Sequence, residues 1–252
     1  MVNTKIIAVC GKGGVGKTSL SAVITKILIG NKKQKILAVD ADPSTGLATA
    51  LGFTVKKTVD DIGRNLMENV GGIAQGSKKE IVSSLGYEVF EALEERDNLA
   101  FLAIGRPEQE GCYCNVNDLL KDAIDPLTKD FDVVVIDGEA GIEQVNRRVL
   151  RSVTHLFLVS DASVKGMNVV RTIKQVADNA INFETAGLVL NRIKNEDEKN
   201  KLSIPDGMSL WGMIQENDVM RDMDRDGKTI FEVSIPPVED KMRKILKDLS
   251  FL

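Results

Sequence analysis

Cysteine occurs three times and histidine once in 252 residues, and no apolar run approaches the ~18 residues that span a bilayer. An odd and small cysteine count excludes a disulfide framework. None is needed, because a chain of this length buries roughly three quarters of its unfolded surface. The first ten residues, Met1 to Cys10, lack the apolar segment of about 7 to 15 residues that marks a secretory leader. The expectation is a cytoplasmic protein. Positive charge is not in excess either: 33 Lys and Arg stand against 37 Asp and Glu, a net charge of −4. Without a clustered basic face there is no general electrostatic grip on nucleic acid or anionic lipid, so neither DNA nor membrane is expected as a partner. Repeats, low-complexity tracts and convincing linkers are also missing, which favours one domain over residues 1–252.

What is present is a rhythm. Apolar runs recur at Ile6 to Cys10, Ile36 to Val39, Leu99 to Ile104, Val133 to Ile136, Leu156 to Val159 and Ala186 to Leu190. Each is short and near-continuously apolar, as strands buried on both faces of a parallel sheet are. Ser209 to Ile214 adds a further strand. Between them lie helical periods, such as Leu20, Val23, Ile24, Ile27 and Leu28 with Gly30 as C-cap, and Val169, Val170, Ile173, Val176 and Ala177. Thr58 to Glu95 reads as two or more helices, broken by glycines at Gly71 to Gly76. Alternation of this kind specifies an α/β fold, doubly wound, with a mainly parallel sheet and helices on both faces.

Directly after the first strand comes Gly11-Lys12-Gly13-Gly14-Val15-Gly16-Lys17-Thr18, followed by a helix. This is G-x-x-x-x-G-K-[ST] in the strand, loop, helix context that the motif requires. Its glycines let backbone N–H groups converge on phosphate, and the helix adds its positive end. Residues Gly11 to Ser19 are therefore the expected nucleotide cradle, Lys17 reaching the β- and γ-phosphates and Thr18 the Mg²⁺ ion. A chance glycine turn does not explain that context. Two further carboxylate sites end apolar strands, Asp40-Ala41-Asp42-Pro43 and Asp137.

With Lys12 following the first glycine, the loop resembles that of the deviant P-loop ATPases, which include septum-site-determining and chromosome-partitioning ATPases and the nitrogenase iron protein. The resemblance implies a homodimer that sandwiches ATP, with Lys12 crossing to the γ-phosphate held by the other subunit. It also implies that Asp42 positions or activates the attacking water, that Asp40 supports Mg²⁺ or its waters, and that Asp137 holds a Mg²⁺-bound water. Leu190-Asn191-Arg192-Ile193-Lys194 lacks the carboxylate that a guanine edge needs three residues after the Asn, so adenine is favoured, with Asn191 as its contact.

Cys112-Tyr113-Cys114 follows the Leu99 to Ile104 strand and precedes a helix, Leu119, Leu120, Ala123 and Ile124, that ends near Pro126. This places both thiols on the sheet edge that carries the phosphate loop, at a helix N-terminus that favours the thiolate. Two thiolates are half of a tetrahedral soft-metal site. Cys10 reads as packing inside a strand and His155 as structural. A two-fold dimer supplies four thiolates. Cys112-x-Cys114 with Asp137-Gly138-Glu139-Ala140-Gly141 resembles the nickel-insertion ATPases that mature carbon monoxide dehydrogenase, or relatives serving acetyl-CoA synthase. The wider group usually has proline where this chain has Glu139. The resemblance implies an ATP-hydrolysing metallochaperone that takes Ni²⁺ (or Zn²⁺, which thiolates hold equally well) at Cys112 and Cys114 of both subunits. The alternatives are a positioning or partition-type ATPase assembling on membrane or DNA, and a redox or iron–sulfur ATPase. A basic amphipathic tail, Lys241 to Leu249, fits either a membrane surface or a helix packed on the sheet, and packing is preferred.

Overall fold

The computed structural model describes residues 4–68, 77–106, 114–138, 152–195, 197–198 and 202–252. In chain order its elements are β1 (Lys5–Gly11), α1 (Lys17–Ile29), β2 (Ile36–Asp40), α2 (Gly46–Leu51), α3 (Val59–Glu68), α4 (Lys78–Glu91), β3 (Glu94–Arg96), β4 (Leu99–Ala103), α5 (Cys114–Thr128), β5 (Val133–Asp137), β6 (Ser152–Ser160), α6 (Val164–Ala180), β7 (Asn182–Ile193), β8 (Ser209–Gln215), α7 (Asp218–Asp226) and α8 (Pro236–Asp248). The strands make one eight-stranded sheet in the order β3-β4-β2-β5-β1-β6-β7-β8. All pairings are parallel except β3 with β4.

Side chains alternate across each strand. In β1, Ile7 and Val9 join the apolar layer of α1, α2, α7 and α8, whereas Ala8 and Cys10 join that of α3, α4, α5 and α6. Every residue of β2, β4 and β5 is buried. Helices therefore cover both faces, and the doubly wound reading holds. The tail packs: Val238, Met242, Ile245 and Leu246 of α8 are buried in the layer that contains α1. Among the described residues no helix is long and apolar enough to cross a membrane.

Two boundaries differ from expectation. The helical reading of Thr58 to Glu95 overruns: Glu94 and Glu95 belong to β3, which turns through Asp97 and Asn98 to pair Arg96 with Leu99. Asp97 takes a left-handed backbone (φ 54°), which closes a two-residue hairpin that charge composition concealed. The helix α5 also runs past Pro126 to Thr128; the proline ring sits in the last turn, where the Pro126 carbonyl still accepts from the Lys129 N–H. The Gly71 to Gly76 break lies outside the described residues.

Gly187 of β7 lets the ring of the lone tryptophan, Trp211 of β8, lie on its backbone. A Cβ at Gly187 would stand 2.0 Å from Trp211 Cε2. Gly187→Ala is therefore expected to cost about 1–3 kcal/mol by overpacking. Urea unfolding followed by Trp211 fluorescence checks this, and an unchanged midpoint refutes the close packing.

Candidate nucleotide site

β1 lies between β5 and β6, so its carboxyl end delivers the phosphate loop to the centre of the sheet edge. Gly11 is there because nothing larger fits: a Cβ would sit 2.0 Å from the Val159 carbonyl oxygen. Around Gly13 and Gly14 the same position is open for at least 4 Å, leaving room for a phosphate to approach the backbone. No side chain caps the start of α1 and no acidic residue occupies its first turn. Its free N–H groups and dipole are left for an anion. Lys17 is buried, and its Nζ donates to the Lys12 carbonyl at 3.4 Å.

Asp40 and Asp137 end neighbouring strands in register. Both are wholly buried. Asp137 Oδ1 accepts from Ser21 Oγ at 2.8 Å, while Oδ2 is a buried acceptor with no hydrogen bond. Burial pushes its carboxyl up to about 6, against the opposing pull of the Thr18 and Ser21 hydroxyls and of Lys17. Burial and the charge of Asp137 push Asp40 up to about 7. Asp40 spends both oxygens on backbone: Oδ1 accepts from the Asp42 N–H, and Oδ2 from the N–H groups of Leu47 and Ala48. It thereby clamps the 41–48 loop onto the sheet and caps α2. Asp42 is half-buried, its Oδ1 fixed by Ser44 N and Oγ at 2.9 and 2.7 Å. Gly46 closes that loop against the phosphate loop, since a Cβ there would lie 3.3 Å from Thr18 Cγ2.

The orphaned Asp137 Oδ2 fits a Mg²⁺ site. Thr18 and Asp137 are the residues that would hold the ion or its water, and the ion would supply charge neutralisation for the phosphates. Among the described residues no three His, Cys, Asp or Glu side chains are grouped to hold a metal ion by themselves. Cys112 and Glu139 lie outside the described residues, and Cys114 is placed only as the first residue of α5. Cys10 is fully buried, and its thiol is pushed up to about 12 by burial and by Asp137, as a packing residue should be. His155 packs edge-on against Phe251, 4.6 Å between ring centroids, with Nδ1 2.8 Å from Thr154 Oγ1.

Asn191 is where the structure adds most. Its Nδ2 donates to the Val15 carbonyl at 2.8 Å in a buried position, so it ties the end of β7 to the phosphate loop. Beyond it a cavity of about 350 Å³ opens at the ends of β7 and β8, lined by Ile193, Met213, Gln215, Asn217, Pro237 and Val238 among others. Lys12 does not point away from its own chain: Nζ pairs with Asp161 Oδ2 at 2.6 Å, and Ser163 N and Oγ hold the other oxygen. Asp161 and Ser21 are the site residues that sequence reasoning missed. Asp161 follows an apolar strand just as Asp40 and Asp137 end theirs, and Ser21 stands one turn after Lys17 on the same helix face; both signals were available.

Raised carboxyl values mean that the folded chain keeps protons the unfolded chain has lost. The stability contributed by Asp40 and Asp137 is complete below about pH 4 and is lost as pH rises through about 6 to 7. Asp137→Asn keeps the acceptor for Ser21 and removes a buried charge. It is expected to shrink the fall in urea midpoint between pH 5 and pH 8, and an undiminished fall rules out the buried pair as its source.

Comparison with known proteins agrees with this geometry. A family model described as an AAA domain matches residues 4–185. The chain is 37% identical over 245 residues to the uncharacterized ATP-binding protein MJ0685 of Methanocaldococcus jannaschii, covering 95% of each chain. It is 25% identical over 253 residues to the carbon monoxide dehydrogenase accessory protein CooC of Rhodospirillum rubrum, covering 96% of this chain and 95% of that protein. The septum site-determining protein MinD of Pyrococcus horikoshii, solved with Mg-ADP, superposes with a TM-score of 0.65 at 19% identity, over 98% of this chain and 96% of the other. The phosphate loop, the strand-end carboxylates and the family match together establish that this chain belongs to the AAA domain family and is a P-loop ATPase.

Proposed function

We propose that the chain works as a homodimeric metallochaperone ATPase, which takes up Ni²⁺ as cargo through Cys112 and Cys114 of two subunits and delivers it to carbon monoxide dehydrogenase or acetyl-CoA synthase. The observation that carries this reading is the backbone link between the strand-end carboxylate and the stretch of chain that leads to the thiols. β4 leaves the sheet beside Asp40, with Ile104 N donating to the Asp40 carbonyl, and the chain next described is α5, beginning at Cys114. Cys112 follows Ile104 by eight residues in the sequence. The near end-to-end similarity to a carbon monoxide dehydrogenase accessory protein supports the same client class.

Coupling follows from those connections. Lys17 binds the phosphates, Asp42 orients the attacking water, and the Asp40 clamp passes a change in the loop to Ile104 and so towards the thiols. For Lys12 to reach a nucleotide in the other subunit, its pair with Asp161 must open. Partly exposed pairs of this kind are worth about 1 kcal/mol or less, so the exchange is inexpensive. If ATP favours the dimer and the metal needs the dimer, each strengthens the other's binding, and hydrolysis lowers the affinity for the cargo.

Metal content and size of the wild type and of Cys112→Ala, with and without ATP, test the reading. The wild type is expected to hold about one Ni²⁺ per two chains, more firmly with ATP, and the variant to hold none while still hydrolysing ATP. One metal per chain, or metal retained by the variant, overturns the shared site.

A further inference from the structure

Ser21 is a polar residue where packing alone asks for none. It stands in α1 among Leu20, Ala22, Val23 and Ile24, all buried and apolar, and it is itself wholly buried. Alanine would suit both the helix and the burial better, since serine gives up helix propensity and must find a partner for its hydroxyl. A buried helical hydroxyl can find that partner one turn back along its own helix. Thr25 does so, its Oγ1 donating to the Ser21 carbonyl at 2.8 Å. Ser21 instead sends its proton across to the sheet, where Oγ donates to Asp137 Oδ1 at 2.8 Å.

The setting of that carboxylate explains what the bond is for. The main chain is pinned on both sides: the Asp137 carbonyl accepts from Ala41 N at 3.0 Å, and Gly138 N donates to the Val9 carbonyl at 2.9 Å. Backbone bonds fix where the residue stands, but not how its carboxyl is turned. The Thr18 hydroxyl bears on the same carboxyl, from a half-buried place at the site. Ser21 does so from inside the interface of helix and sheet, where water does not compete. With Oδ1 held, Oδ2 is left buried and without a hydrogen bond. One oxygen on a protein donor and the other unspent is the arrangement by which an outer partner orients a metal ligand.

We propose that Ser21 is a positioning residue for Mg²⁺: its hydroxyl holds Asp137 so that the free oxygen, Oδ2, is presented to the ion or its bound water. The proposal rests on the ATPase reading with Mg²⁺ beside Asp137, and is independent of the cargo metal. ADP affinity is measured with Mg²⁺ and with EDTA, and the ratio of the two is the gain that the ion brings. The wild type is compared with Ser21→Ala, Ser21→Cys and Thr25→Val.

Loss of an outer partner of this kind lowers metal affinity about 10- to 100-fold, so Ser21→Ala is expected to lose most or all of the Mg²⁺ gain. Ser21→Cys, with a weaker donor, is expected to lose less of it. Thr25→Val removes the neighbouring buried hydroxyl at nearly constant shape and is expected to keep the gain whole. An undiminished gain in Ser21→Ala overturns the proposal, even if ADP binds more weakly in both media. So does a loss in Thr25→Val as large as that in Ser21→Ala, which would make Ser21 a packing residue. Should Ser21→Ala not fold, Ser21→Cys decides by the same ratio. A wild type whose ADP affinity Mg²⁺ does not raise overturns the assignment of Mg²⁺ to Asp137 itself.

Discussion

Two carboxylates face one another across adjacent strands in a place that water does not reach, and the site is arranged around that cost. Asp40 and Asp137 are in register on β2 and β5, and burying like charges together favours protons on both. The nearby relief comes from the Thr18 and Ser21 hydroxyls and then Lys17, which lower Asp137, and from backbone N–H groups, which lower Asp40. The two residues divide the work accordingly. Asp40 is saturated by the chain and holds a loop; Asp137 keeps one buried oxygen without a hydrogen bond.

Much of this was legible in the amino-acid order, for physical reasons. Strands buried on both faces must be apolar throughout, so β1, β2, β4 and β5 announce themselves, and an Asp at the end of such a run has few reasons to be there besides a site. The three-residue strand β3 has no such constraint. Glu94, Glu95 and Arg96 carry no apolar signature, and only the Asp97 turn reveals them. Side-chain partners across the sheet were illegible for another reason. Lys12 with Asp161, and Ser21 with Asp137, are separated by 149 and 116 residues, and no local pattern records which strand lies beside which.

Asn191 shows the difference between naming a residue and knowing its work. Its position after an apolar strand suggests contact with a base. In the fold its Nδ2 donates to the Val15 carbonyl, which holds the phosphate loop and the β7 end in fixed relation.

The short antiparallel strand at the end of the sheet has a consequence of its own. β3 offers three charged residues where a longer apolar strand would offer a template, which disfavours backbone pairing by another chain at that margin. Growth into fibres is disfavoured at the end remote from β8.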